Sequence, residues 1–221
     1  MSEQSAPKKP ALTRKLQIGH VNICHLQNKV HDVCALLNND RSSCIHILGL
    51  SETHPPKDIN KNILKIPGYF FIKRKPKAPG HHGMGMYIHD SVWPLIKRRK
   101  DLESKDVECM WIEFRPNVAA RPVLIGYVYR NPKSPVLSWS DDFVHMMDRV
   151  NQLQSDIVLQ GDFNLNVLNT TPLHWKSTCS ILGLHQLISE PTRVATSSST
   201  LIDHIYTNNT FKIFDANLFF T

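Results

Sequence analysis

The sequence lacks the marks of several protein classes. Its five cysteines, Cys24, Cys34, Cys44, Cys109 and Cys179, are scattered and include no C-x-x-C pair. An odd, scattered set reads as reduced thiols of a cytosolic or nuclear protein, not as a disulfide framework. Twelve histidines are present, but none are spaced as H-x-x-x-H, so a zinc site is not expected. No apolar run approaches the ~20 residues that cross a bilayer. The stretch from Met1 to Lys15 has no apolar core of the kind a secretory signal carries. Residues 1–13 are expected to form a flexible leader, and 14–221 one domain. No internal repeat or coiled-coil heptad appears, and 14 prolines with nine glycines disfavour long helices.

What is present is ordinary globular usage, with 41% hydrophobic and 20% charged residues. That excludes a wholly disordered chain. Lys and Arg total 26 against 19 acids, a formal charge of +7. The excess favours a polyanionic partner.

Along the chain, alternation from Leu16 to Ile23 predicts a strand ending in polar residues. Val30, Val33, Cys34 and Leu37 share one face of a helix predicted over Asn28 to Leu37. Ile45 to Leu50 is a short apolar strand ending at Ser51-Glu52-Thr53. Tyr69–Ile72 and Met84–Ile88 read as a hairpin around a basic loop, with Val107–Phe114 and Val123–Tyr129 as further strands. Ser138 and Asp141 predict an N-terminal capping box for a helix with Trp139, Phe143, Met146, Met147 and Val150 on its apolar face. Ile157–Leu159 runs as a strand into Gly161-Asp162-Phe163-Asn164. A helix over Trp175–Leu182 and strands over Thr200–Tyr206 and Ile213–Phe219 complete the pattern. Strands outnumber helices, which predicts one α/β domain, a two-sheet β-sandwich flanked by helices.

Four polar positions follow strands: Asn22, Glu52, Asp162 with Asn164, and Asp203. Strand ends are rigid and reach solvent, which suits a site. Carboxylates and carboxamides are hard oxygen donors that suit Mg²⁺ or Mn²⁺, and together they suggest metal-assisted attack on a phosphoryl centre. Taken singly, each is equally a turn or helix-start residue; their order along one chain is the specific signal.

That order resembles the endonuclease/exonuclease/phosphatase superfamily. The matching pieces are His20-Val21-Asn22, Leu48-Gly49-Leu50-Ser51-Glu52-Thr53, Tyr127 to Pro132, Gly161-Asp162-Phe163-Asn164 and Leu201-Ile202-Asp203-His204-Ile205. Asn28-Lys29-Val30, the Ser-Glu-Thr triplet and Pro191-Thr192-Arg193 look closest to the endonuclease domain of non-LTR retrotransposons. The resemblance implies a deoxyribonuclease I-like sandwich and a DNA-nicking activity, with DNA as partner and a reverse transcriptase domain in the parent element. It implies that Glu52 holds the metal with Asn22 beside it and that Asp162 and Asn164 aim the attacking water. Tyr129 would donate to the scissile phosphate, and Asp203 would orient a histidine.

In the superfamily that histidine stands in a final Ser-Asp-His, and no such triplet follows Asp203 here. The expectation is a C-terminally truncated domain without its last strand, active poorly or not at all. His204 is a weak substitute, because strand neighbours point to opposite faces. The basic run Lys73, Arg74, Lys75 and Lys77 is expected either to touch DNA phosphates or to be a solvated face. The competing functions are a catalytically dead nucleic-acid-binding module and an inositol-phosphate or phospholipid phosphoesterase on the same fold.

Overall fold

The structure, a computed structural model, describes residues 15–38, 44–54, 61–169, 171–213 and 215–216. The leader expected over 1–13 lies outside them. Twelve strands and three α-helices make up the regular structure of the described residues, together with short 3₁₀ turns. In order they are β1 (Ile18–Asn22), α1 (Val30–Asn38), β2 (Ile47–Ser51), β3 (Tyr69–Arg74), β4 (Met84–His89), β5 (Ile96–Arg98), β6 (Glu108–Phe114) and β7 (Val123–Tyr129). There follow α2 (Val136–Asn151), β8 (Asp156–Asp162), α3 (Leu173–Ile181), β9 (His185–Gln186), β10 (Arg193–Ala195), β11 (Ser198–Thr200) and β12 (Asp203–Thr207).

Two mixed sheets face each other. The smaller runs β1-β2-β4-β3 and the larger β5-β6-β7-β8-β12-β9, with β10-β11 a separate ribbon. Alternation along each strand divides the apolar residues among three cores. Between the sheets, Ile47, Met84, Met86 and Ile88 meet Met110, Ile112, Ile125 and Tyr127. On the outer face of the larger sheet, Trp111, Leu124, Val128 and Leu159 pack under Trp139, Phe143 and Met147 of α2 and Trp175 of α3. On the outer face of the smaller sheet, Leu48, Leu50 and Tyr87 pack against Val33 and Leu37 of α1. The result is a helix–sheet–sheet–helix sandwich, the fold class read from the sequence.

Gly49 sets the approach of the two sheets. A Cβ there would sit 2.0 Å from the Tyr127 ring. Only a bare backbone lets that ring lie flat between the sheets.

Three local expectations differ. Helix α2 starts at Val136, with Pro135 as its N-cap and no side-chain cap. Proline, with φ fixed near the helical value, starts the helix two residues before Ser138, whose hydroxyl donates back to Pro135 O at 3.4 Å. The strand expected over Thr200–Tyr206 breaks at Leu201 and Ile202 into two elements. Of Ile213–Phe219, Ile213, Asp215 and Ala216 are not in a strand, and 217–219 lie outside the described residues. Among the described residues, no helix is long and apolar enough to cross a membrane.

Candidate active site

The sheet registers build a transverse row. Tyr129 pairs with Asp162 across β7 and β8, and Asp162 pairs with Asp203 across β8 and β12. Glu108 pairs with Tyr129 from β6. Directly paired residues share a face, so one row of the larger sheet carries three carboxylates and a phenol. From the smaller sheet, Asn22 ends β1 beside Ser51 of β2, and Glu52 follows at once. The two sheets meet through Asn22, whose Nδ2 donates to Glu52 Oε1 at 2.8 Å and to Asp162 Oδ2 at 2.9 Å. Its Oδ1 accepts the Cys24 N–H at 3.2 Å.

Asn164 completes the group. Its N–H donates to Asp162 Oδ1 at 3.0 Å, and its side chain donates to Arg130 O at 2.8 Å. Gly161, just before Asp162 in β8, has φ 154°, and a Cβ there would lie 1.8 Å from Val128 O, so the close approach of β7 at this point needs glycine. Of six non-glycine residues with positive φ among the described residues, five are Cys24, His25, Glu52, His54 and Asn164. Strained backbone of this kind is held only where surrounding structure imposes it, and it collects at functional sites.

The electrostatics follow from crowding acids in a half-buried seam. Burial and then the charge of Asp203 push Asp162 up to about 7. Burial pushes Asp203 up to about 6. Burial acts the same way on Glu52, but hydrogen bonds from Asn22, Tyr129 and His54 outweigh it and hold Glu52 below its ordinary value. Burial and the neighbouring Glu52 charge raise Tyr129, so its phenol stays a donor. A bound cation would relieve this crowding of acids. The donors fit a divalent cation at Glu52, whose Oε2 faces two imidazole nitrogens across a solvent-reaching gap.

Those imidazoles are what sequence reasoning missed. His54 Nε2 lies 3.4 Å from Glu52 Oε2, and His82 Nδ1 lies 3.6 Å from the same oxygen. The signal was available in strand pairing. Strand β2 runs antiparallel to β4 with Leu50 opposite Gly85, so residues just after β2 must meet those just before β4.

The other histidines divide clearly. His204 is buried, its Nε2 donates to Leu165 O at 2.9 Å, and it stacks on Phe163. It faces away from Asp203, as alternation requires. His20 instead reaches the row, with Nδ1 3.7 Å from Asp203 Oδ1 and Nε2 3.2 Å from Ser51 Oγ. Burial lowers it to about 3, so the ring is neutral.

One expectation for the basic run is corrected. Arg74 is only 3% exposed. It ends β3, and its guanidinium donates inward to Val107 O, Cys109 O and Ser104 O. It cannot touch a phosphate from there. Lys75 and Lys77 are exposed in the following loop, while Lys73 is half-buried in β3.

No protein-family profile matched the sequence, and neither did any curated protein. Solved structures did match. The endonuclease domain of TRAS1, a telomere-specific non-LTR retrotransposon, has TM-score 0.60 and 15% identity over 86% of this chain and 83% of its own. The AP endonuclease LMAP from Leishmania major has TM-score 0.68 and 12% identity over 88% and 79%. The 3′ phosphatase NExo from Neisseria, bound to a product DNA hairpin, has TM-score 0.62 and 16% identity over 90% and 88%. The chain has the fold of the endonuclease/exonuclease/phosphatase proteins among these matches.

Proposed function

We propose that this protein is a divalent-cation-dependent phosphodiesterase that nicks DNA, of the kind a non-LTR retrotransposon uses beside its reverse transcriptase. The observation that carries the reading is the Asn22 bridge, which draws Glu52 and Asp162 together although Asn22 and Asp162 are 140 positions apart. A cation at Glu52 would supply charge neutralisation at the phosphoryl oxygens. The chain's own groups do the rest. Asp162 is fixed through both oxygens, by Asn22 and by the Asn164 N–H, so its remaining lone pairs point in a set direction. Raised to about 7, it can take a proton from an attacking water near neutral pH. The Tyr129 hydroxyl, kept protonated, donates to a phosphoryl oxygen as charge develops there. Solved neighbours named as nucleases and a DNA-bound phosphatase support a phosphoester substrate, and the +7 charge favours DNA over a small inositol phosphate.

The test is nicking of supercoiled plasmid by the chain with Mg²⁺ or Mn²⁺, against a chelator control. Phosphate release from inositol phosphates runs in parallel. Metal-dependent nicking lost in Glu52→Ala is expected. DNA binding without nicking would make this a silent binding module, a reading to which Asp203 lends weight because its imidazole contact, His20, is the interior ring bonded to Ser51.

A further inference from the structure

We infer that Glu52, His54 and His82 form a binding site for an imidazole-preferring first-row transition cation, with Zn²⁺ as the type ion, rather than for Mg²⁺. The inference deepens the phosphodiesterase reading by naming the metal class at Glu52, and it rests on that reading only for its location.

Three donor atoms, one from each residue, lie within 4.8 Å of one another. Tetrahedral bonds of ~2.1 Å place neighbouring N and O ligands about 3.4 Å apart. The two separations from Glu52 Oε2 are 3.4 Å and 3.6 Å. Closing this triangle around an ion therefore needs side-chain adjustment of tenths of an ångström on the two carboxylate edges. Two imidazoles and one carboxylate, with room left for water, is the donor set of catalytic zinc sites. Mg²⁺ keeps oxygen ligands and gains little from imidazole.

The site is also built, not a chance meeting of surface rings. The loops are laced by backbone hydrogen bonds: His54 N–H to His82 O at 2.8 Å, Thr53 N–H to Gly83 O at 3.1 Å, and His25 N–H to Glu52 O at 2.9 Å. Glu108, buried in the larger sheet, accepts the N–H groups of His82 and Gly83 at 2.8 and 2.6 Å. His82 is thus tied to both sheets. His25 stacks on His54 with centroids 4.3 Å apart, and His54 lies 4.6 Å from His82. The stacked His25 on one side and the tilted His82 ring on the other restrict the orientation of His54, the task that outer partners perform for ligating histidines. Glu52 and His54 both hold positive φ, so strain is spent on aiming these two side chains. The donor side chains are 19%, 27% and 31% exposed, so an ion has a path in.

The experiment measures metal binding directly on the chelator-treated chain, by competition with a chromophoric zinc chelator. One Zn²⁺ per chain is expected, and since loss of a partner that only orients a ligand costs about tenfold to a hundredfold in affinity, loss of a ligand in His54→Ala or His82→Ala should cost at least that much. His145→Ala, an exposed helix position, should bind as the parent does. Co²⁺ in place of Zn²⁺ should give visible absorption that both histidine variants lose. Absence of stoichiometric Zn²⁺ binding, or binding that survives both substitutions, overturns the inference. Mg²⁺-supported nicking that is intact in both variants would also overturn it while leaving the phosphodiesterase reading standing. Zn²⁺ binding of the expected pattern without any nicking would support the inference and sink the nuclease instead.

Discussion

Arg74 offers the sharpest separation of a structural from a DNA-binding role. Its Nη1 donates to Val107 O at 3.2 Å and Cys109 O at 2.9 Å, and its Nη2 to Ser104 O at 2.5 Å. Its Nε lies 3.6 Å from Glu103 Oε2, and the Glu103 side chain is 2% exposed. Arg74→Ala removes the charge facing Glu103 and strands three carbonyls. Breaking a buried pair from one side costs ~3–5 kcal/mol. The carbonyl contacts overlap with that figure, and Arg98 and Lys77 still reach Glu103, so the lower half of the range is expected. At about 2–4 °C per kcal/mol for a chain of this size, Tm should fall by roughly 10 °C. Arg74→Lys should not rescue it, since one ammonium cannot serve carbonyls spread around a planar fork. Lys75→Ala should leave Tm within about 1 °C but lower the slope of log affinity for duplex DNA against log salt by ~0.9. The paired assay is thermal denaturation with a salt titration of DNA binding. If Arg74→Ala keeps its Tm and flattens the salt slope, the guanidinium is a phosphate contact and the reasoning is refuted.

Asp162→Asn should abolish nicking, because it removes the proton acceptor and turns an NH2 toward Asn22 Nδ2 or the Asn164 N–H, each of which now donates to a carboxylate oxygen; metal-dependent nicking at the parent rate would contradict this. Metal-free stability should rise as pH falls from 8 to about 5. Asp162 is raised to about 7 and Asp203 to about 6, so their folded forms prefer the proton. Their contribution is full below an unfolded value near 4 and is lost as pH climbs through 6 to 7. Three units on Asp162 correspond to at most about 4 kcal/mol, and part-exposed Asp203 adds less; urea midpoints that are flat or rising toward pH 8 would refute it. Gly49→Ala should cost more than ~2 kcal/mol, as its Cβ would strike the buried Tyr127 ring at 2.0 Å, whereas Gly19→Ala meets Leu48 at 3.4 Å and should cost under ~1 kcal/mol.

Much of the fold was legible because its central strands are short apolar runs covered on both faces, so β2 and β8 are buried at every residue. The strand expected over Val123–Tyr129 has those bounds, and β2, β4 and β6 are within two residues of theirs. The helix start at Val136 was missed because Pro135 outranks a serine cap, a contest between two local rules. Asn22, Glu52, Asp162, Asn164 and Asp203 were legible as polar strand ends, and the structure brings the first three into one hydrogen-bonded group. Arg74 was misread because β3 runs two residues past Ile72. Where a strand continues, a charged run is divided between faces, and composition alone does not say which side chain turns in. His54 and His82 were invisible to spacing rules for a related reason. They are 28 positions apart in sequence, and strand pairing, not helical periodicity, brings them together.

The site depends on registers in two sheets at once, and this constrains how it can fail. The row Glu108–Tyr129–Asp162–Asp203 spans four strands of the larger sheet. A one-residue slip of β8 would turn Asp162 into the helix-covered core and bring Gly161 to its place. Such a slip would also press a Cβ-bearing residue against Val128 O, where Gly161 now leaves a gap. Packing of Tyr127 over Gly49 fixes the separation of the sheets, and that separation decides whether the Asn22 amide can span Glu52 and Asp162. The geometry of the candidate site and that of the core are therefore set by the same contacts. Substitutions deep in the inter-sheet core should move the Asn22 bridge before they unfold the chain, because a 2.9 Å hydrogen bond tolerates only tenths of an ångström of sheet separation. Core variants of Met86 or Ile125 that fold normally but lose nicking would show that coupling. Full nicking in variants with a measurably altered sheet spacing would show that the bridge is not what aligns Glu52 with Asp162.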